Sequence, residues 1–270
     1  MTALTIVSAN LRNPYFSAWR VDRAALLARL EALARLAEGA AADILLCQEV
    51  GRGRDLRVDE WLAGRLGLSV VYARANSGPR LGREEGLAIL SRYPLRDRRE
   101  TLLTGGLWRR PALGVVAETP LGAITVYTAH LSLRPRRNRQ GVARLRGWVE
   151  ETAGQHPALI GGDFHAGEGA PHIVPLREAE GGGPGWVDTF RAVQPTADGT
   201  THTLRLFGHV VARQRLDYLF LRPGAPKFRI ATCEHVPSPG TPFSDHLAVV
   251  ASFVAKGGDN LPLAPSSPNL

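Results

Sequence analysis

The feature that most constrains this chain is a set of short apolar runs, each broken by, or ending in, an acid, an amide or an imidazole. They are "LTIVSAN" ending at Asn10, "ADILLCQEV" with Gln48 and Glu49, "AITVYTAH" ending at His130, "ALIGGDFH" with Asp163 and His165, "RLDYLF" with Asp217, and "FSDHLAVV" opening with Asp245 and His246. Short runs rich in Val, Ile, Leu and Tyr read as strands. A buried strand excludes charge unless the charge is paired or bound to a metal. Each polar residue has a structural explanation on its own: Glu49 as a strand-end acid reaching water, Asp217 as a buried acid paired with Arg215, His130 as a satisfied core histidine. Taken together, Glu49, Asp163, Asp217 and Asp245 point to strand ends gathered at one mouth. Gathered carboxylates repel unless a cation neutralises them. Mg²⁺ suits carboxylate and amide oxygens, retains waters and binds substrate phosphate. His246 beside such a cluster can accept a proton, because its ordinary pKa lies near 6.5. A carboxylate on its other ring nitrogen would orient it.

The rest of the chain frames these runs. "RVDRAALLARLEALARLAEG" places Leu26, Leu27, Leu30, Leu33 and Leu36 at helical spacing, with Gly39 to stop the helix. The chain therefore opens strand, helix, strand. Further strands are expected at "LSVVYA", "EGLAILS", "ALGVVAET", "THTLRLF", "RLDYLFLR", "FRIATCEHV" and "HLAVVASFV", with a turn at Thr119 to Gly122 and a helix over about 137–152. Near-continuous apolar strands mixed with helices predict one α/β domain of two packed sheets with helices outside. That domain spans residues 1–255. The tail from 256 to 270, rich in Gly, Pro and Ser, reads as disordered, and "EGGGPGW" reads as a flexible loop. No Walker-type loop or complete dinucleotide fingerprint is present.

At 270 residues the chain can bury a large core without staples. Cys47 and Cys233 are too few for a disulfide framework, and Cys47 reads as a buried thiol. The start does not look like a signal peptide, and no stretch reaches 18 consecutive apolar residues. A cytoplasmic monomer is the simplest expectation. The net charge is +8, and of the 33 Lys and Arg only Lys227 and Lys256 are Lys. Such a charge attracts polyanions, and arginine pairs with phosphate through a planar fork. The same charge can also be mere solvation, with Arg standing for Lys through coding bias.

In order along the chain, "SANLRN", "CQEV", "TAHLS", "GGDFHA", "RLDYLF" and "SDHLAV" resemble the motifs of the endonuclease/exonuclease/phosphatase superfamily of metal-dependent phosphoesterases. "GLAILSRYPL" matches a further strand-and-turn segment of that group. The resemblance covers about 4–254 and implies a four-layer α/β/β/α sandwich, of the kind seen in DNases, with its site at one edge. It implies Glu49 as principal metal ligand, Asn10 near the metal and Asp245 as a further carboxylate there. Asp163 resembles the acid that positions the attacking water or a metal. His246 is similar to the general base or phosphate contact, Asp217 to the acid orienting it, and His130 to a histidine set against the scissile phosphate. Arg137 and Gln140 in "RRNRQ" resemble supporting residues after the third motif. The fourth motif departs from the usual Gly-Asp-Phe-Asn: His165 stands where Asn is expected. An imidazole can still contact phosphate, but it can also ligate a transition metal, shifting preference from Mg²⁺ toward Mn²⁺ or Zn²⁺.

The expected reaction is metal-assisted hydrolysis of a phosphate ester. Nucleic acid is the first substrate expectation, from the net charge and the basic loops "GLWRRPA" and "LRPRRNRQ". Trp108 can stack on a base while Arg109 and Arg110 hold phosphate, or it can pack under a loop. A small phosphodiester, a phosphoinositide or a lipid head group would use the same residues. A membrane substrate calls for an exposed apolar hairpin or an amphipathic anchor, and none stands out in the sequence. A non-catalytic binding protein with a decayed site would lack carboxylates that are present here.

Overall fold

The structure, a computed structural model, describes residues 2–13, 22–78, 82–177, 185–224, 228–238 and 240–256. Nearly all of the tail and most of the glycine-rich loop therefore lie outside the described residues. Elements run in order β1 (Ala3–Asn10), α1 (Arg23–Gly39), β2 (Ile44–Arg52), α2 (Val58–Leu66), β3 (Ser69–Gly78), β4 (Arg83–Ser91), β5 (Leu95–Thr104), β6 (Arg110–Thr119) and β7 (Gly122–His130). They continue with α3 (Pro135–Thr152), β8 (Ala158–Asp163), α4 (Val174–Arg177), β9 (Val187–Asp188), α5 (Thr189–Val193), β10 (His202–Leu206), β11 (His209–Gln214), β12 (Asp217–Arg222), β13 (Phe228–Val236) and β14 (Ala248–Ala255).

Two mixed six-stranded sheets form, in the orders β13-β14-β1-β2-β4-β3 and β5-β6-β7-β8-β12-β9. Leu4, Ile6 and Leu46 of the first interleave with Val115, Leu159 and Leu219 of the second. Each such side chain contributes about 1.5–3 kcal/mol on leaving water. The leucine stripe of α1 covers the outer face of the first sheet, where Leu26, Leu30 and Leu33 meet Val7 and Leu45. Val142, Leu145 and Val149 of α3 cover the outer face of the second, against Tyr127 and Ile160. The four layers are thus α/β/β/α, as the apolar runs require. Helix α1 begins where the Asp22 carboxylate accepts from the Ala24 and Ala25 amides at 2.9 and 3.1 Å.

Both helices serve as crossovers between parallel strands, α1 between β1 and β2 and α3 between β7 and β8. Each crossover brings two strands to the same edge with their polar ends together. Two glycines permit the close approach this demands. A Cβ on Gly161 would lie 2.6 Å from Leu46 Cδ1 of the facing sheet, and one on Gly162 would lie 2.1 Å from the Ala129 carbonyl oxygen. Buried Gln48 ties the sheets near the same edge, its amide donating to Thr128 Oγ1 at 2.9 Å and facing Ser8 Oγ at 3.3 Å. Its place in a polar strand end is therefore structural.

The run "THTLRLF" is a strand as expected, but the expectation that no exposed apolar hairpin stands out is overturned. This strand does not enter either large sheet. It pairs with 209–214 as a separate two-stranded hairpin, β10–β11, on which Leu204, Leu206, Phe207, Val210 and Val211 are exposed. An exposed apolar hairpin is present after all. No element covers these side chains among the described residues, so the run is apolar without being core.

Candidate active site

Three strand ends of the second sheet set one row of the site. His130 at the end of β7 is in register with Asp163 at the end of β8, which is in register with Asp217 at the start of β12. Across the sandwich, Asn10 ends β1 beside Gln48 of β2. The next residue, Glu49, lies in a β-bulge with φ of 52°. A non-glycine residue there costs about 1–2 kcal/mol. The bulge re-aims the Glu49 side chain toward the edge. Asn10 Nδ2 then joins the sheets, 3.2 Å from Glu49 Oε1 and 2.9 Å from Asp163 Oδ2. The Asn13 amide donates to Glu49 Oε2 at 2.9 Å.

His246 meets this row from the loop before β14. Its Nδ1 lies 2.8 Å from Asp217 Oδ2, and its Nε2 lies 4.0 Å from Asp163 Oδ2. Burial pulls the His246 pKa down, but the hydrogen bond and charge of Asp217, then the charges of Asp163 and Asp245, outweigh it and raise the pKa to about 9. Burial raises the Asp163 pKa, and Asp217 adds to this against the lowering pull of His165 and His246. Arg29 of α1 holds both loops in place, donating to the carbonyls of Leu11 and Phe243 at 2.5 and 2.9 Å.

Two histidine tautomers follow from their partners. Arg110 Nη1 contacts His130 Nδ1 at 2.9 Å, and a guanidinium can only donate. His130 Nδ1 is therefore an acceptor and Nε2 carries the proton. That Nε2 is buried and lies 3.9 Å from Glu49 Oε1 and 3.8 Å from Asp163 Oδ2. Burial, then Arg110, holds the ring neutral by lowering its pKa well below the ordinary value. His165 is the converse. Its Nδ1 faces the Leu131 carbonyl at 2.9 Å, so it must donate, and Nε2 lies 3.1 Å from Asp163 Oδ2. Two electron-pair donors converging this closely are stable with a proton or a cation shared between them. Two donors on one small divalent ion are about 3 Å apart, so Asp163 and His165 fit that role, with Glu49 nearby. His165 also has a positive φ of 47°, held by its amide donating to Asp163 Oδ1 at 2.9 Å.

Not every expected residue joins the cluster. Asp245 is half exposed at the rim and pairs with Arg12 at 3.5 Å; among the described residues both it and Glu49 lie outside the two tight groups that can hold a cation, His130–Asp163–His165 and Asp163–Asp217–His246, although Glu49 stays joined to Asp163 through Asn10. Arg137 donates to the Gly105 carbonyl at 3.3 Å, steadying the loop that leads to Arg110. Gln140 is exposed on α3. The residue of "RRNRQ" that turns inward is Asn138, whose amide donates to the Ser132 and Phe164 carbonyls at 2.7 Å each. Arg215 pairs with Asp188 and Glu168 rather than Asp217. Trp108 is half exposed rather than packed away.

Three further residues complete the site. Buried Glu85 stands beside Arg110 at 3.6 Å, and burial followed by the charge of Glu49 raises its pKa. His202 packs its ring on His246, with centroids 4.5 Å apart. Asn138 buttresses the backbone after both His130 and Asp163. Glu85 could have been found as an acid directly ahead of "GLAILS", whereas His202 sits in a run whose only signal was apolar.

The result is a four-layer sandwich with carboxylates and imidazoles converging at one edge. The Endonuclease/Exonuclease/phosphatase family model matches residues 7–246, and the chain belongs to that family. It is 30% identical over 138 residues to the uncharacterized protein YbhP of Escherichia coli K12, covering 46% of this chain and 54% of that one; the chain thus spans about half the length of this curated relative. An endonuclease/exonuclease/phosphatase family protein from Leptotrichia buccalis superposes with TM-score 0.72 at 17% identity, over 93% of this chain and 99% of its own. D. rerio TDP2 complexed with a single strand DNA product does so with TM-score 0.72 at 16% identity, over 94% and 100%.

Proposed function

We propose that the protein hydrolyses phosphodiesters by in-line attack of an activated water. The observation that carries this reading is the row His130–Asp163–Asp217, with His246 on one side and Glu49 and Asn10 opposite. Glu49, Asp163 and His165 would hold the divalent cation, with Asn10 close by. When bound, that ion supplies charge neutralisation for the phosphoryl oxygens and the leaving group. Asp217 holds His246 in the tautomer that leaves Nε2 facing the site. The 4.0 Å gap between His246 Nε2 and Asp163 Oδ2 admits one water bonded to both. In its unprotonated form, His246 Nε2, oriented by Asp217, would take the water proton. His130 Nε2–H and Arg110 face the position of a phosphoryl oxygen, with Arg110 fixing the His130 tautomer.

His165 in place of an amide gives the centre a nitrogen donor, and the preferred ion is Mn²⁺ rather than Mg²⁺. Nucleic acid is supported as substrate by the +8 charge and by the fold shared with TDP2, which has been captured with a single strand DNA product. A lipid head-group diester is the second reading, favoured by the exposed apolar hairpin beside the site. The buried free thiols of Cys47 and Cys233 suit a reducing compartment such as the cytoplasm. Among the described residues no helix is long and apolar enough to cross a membrane. Incubation with Mg²⁺ or Mn²⁺ against plasmid DNA, single-stranded RNA and bis-p-nitrophenyl phosphate tests the activity. Metal-dependent, chelator-sensitive release of nitrophenol is expected, and no turnover of any diester with either ion would refute it.

A further inference from the structure

The hairpin β10–β11 has no structural reason to be apolar. Leu204 pairs with Ala212 and Leu206 with His209, so both leucines share one face, while Val210, one residue from His209, lies on the other. Apolar side chains therefore stand on both faces of an uncovered ribbon. At its tip, Phe207 and Gly208 both have positive φ, 49° and 83°. That is the two-residue turn in which Asn-Gly is favoured and a bulky aromatic is strained. Phe207 is nonetheless there, and fully exposed. Such a residue works against the turn and gains nothing from the core, so its value lies in what it meets.

The hairpin is also tied to the chemistry. Thr201 Oγ1 accepts from the Leu216 and Asp217 amides at 3.0 and 3.1 Å, and the Leu247 amide donates to the Thr201 carbonyl at 2.8 Å. Its first residue, His202, packs on His246. Leu107 with Trp108 on one loop, and Leu133 on another, are exposed a few residues from Arg110 and His130. They leave the same edge of the second sheet. Between 199 and 216 there is no acidic residue, and Arg213 on the hairpin is exposed.

We propose that β10–β11 is a membrane-docking element that inserts Leu206 and Phe207 into an anionic lipid surface, setting the catalytic mouth against phosphodiester head groups. The choice of head groups as substrate rests on the phosphodiesterase reading above; the docking does not. A lipid surface is favoured over single-stranded nucleic acid because the hairpin offers four aliphatic side chains and one aromatic, and aliphatic chains do not stack on bases. It is favoured over a protein partner because a partner covers one face of a ribbon, while lipid surrounds both. The basic, acid-free hairpin complements anionic head groups.

Flotation with vesicles of phosphatidylcholine, with and without phosphatidylglycerol, tests the idea in the whole chain. Phe207→Asn suits the left-handed turn, so folding is retained, as circular dichroism and thermal unfolding will verify; Leu206→Thr is the second variant. The wild type is expected to float with the anionic vesicles and far less with the neutral ones, and each variant to partition about tenfold or more weakly. Equal flotation of wild type and variants overturns the proposal, as does failure of the wild type to bind anionic vesicles. Loss of single-stranded oligonucleotide binding in Phe207→Asn without any vesicle binding assigns the tip to base stacking, and a change in self-association alone assigns it to a second copy; either outcome also overturns it. Wild-type turnover of bis-p-nitrophenyl phosphate is measured separately. Its absence alongside intact flotation would remove the phosphodiesterase reading and leave the docking standing.

Discussion

His246 and its partner carry the most direct consequences of single side chains. Removing the imidazole by His246→Ala should lower turnover by about 10²–10⁴-fold, the usual contribution of a positioned base. A loss below about threefold in steady-state kinetics would exclude that role. Asp217→Asn should approach the same loss, because an amide no longer enforces the tautomer with Nε2 facing the site. His165 makes a different kind of prediction. With Nδ1 committed to the Leu131 carbonyl, only Nε2 can reach an ion. His165→Asn should lower the ratio of Mn²⁺ to Mg²⁺ affinity by about tenfold or more. Calorimetric titration reads this without any turnover, and an unchanged ratio would show that the imidazole is no ligand. Much of this set was legible because charged residues at apolar strand ends have few bland explanations. Asn138 was not, since which residue of "RRNRQ" turns inward depends on the phase of α3. That helix begins at Pro135 rather than two residues later, and Gln140 falls outward.

Among the elements, strand β8 shows how closely the site depends on backbone packing. Gly162 lies against the Ala129 carbonyl of β7, where a Cβ would stand 2.1 Å from the oxygen. Gly162→Ala must push apart the hydrogen-bonded strands β7 and β8 beside the His130–Asp163 pair. It should cost about 3 kcal/mol, the upper end for overpacking, and lower turnover with it. Chemical denaturation checks the first effect; an unaltered midpoint would mean the strands separate freely. The "GG" was visible in the sequence, but its neighbour came only from the parallel pairing that α3 creates. The hairpin makes the complementary point. "THTLRLF" and the buried "RLDYLF" are alike as strings, yet one is bare and the other is core. Burial is decided by whether another layer covers the strand, and that is not a local property.

For the molecule as a whole, two groups away from the site contribute to the response to acid. His235 stacks on Phe190 at 3.9 Å, and among the described residues neither of its ring nitrogens finds a hydrogen-bond partner. Burial, then Arg215, lowers its pKa to about 4. The unfolded chain takes that proton near pH 6.5 and the folded one near 4, so stability should fall as pH drops across that window. Glu168, bonded to Arg191 and Arg215, is lowered to about 2. Its contribution is present above the usual carboxylate range and lost as pH falls from about 4.5 toward 2. His235→Phe should raise stability by about 1–2 kcal/mol by removing two unpaired polar atoms, and should flatten the decline between pH 6.5 and 4. Thermal unfolding across that range checks both. An identical pH profile in the variant would place the acid sensitivity elsewhere.

The order and chemistry of the strand ends were determined by the amino-acid string alone, because burying an acid or imidazole without a partner costs too much to happen by accident in six places. That is why the four-layer class, and the meeting of Asn10, Glu49, His130, Asp163, Asp217 and His246 at one edge, could be expected from the chain by itself. Register, tautomer and exposure belonged to the tertiary structure. Whether Asp245 enters the cluster or stays at the rim with Arg12, which carboxylates Arg215 meets, and which apolar run lies open beside the site all depend on neighbours distant along the chain. Hydrogen-bond partners and covering layers are set by packing in three dimensions, and no local pattern encodes them.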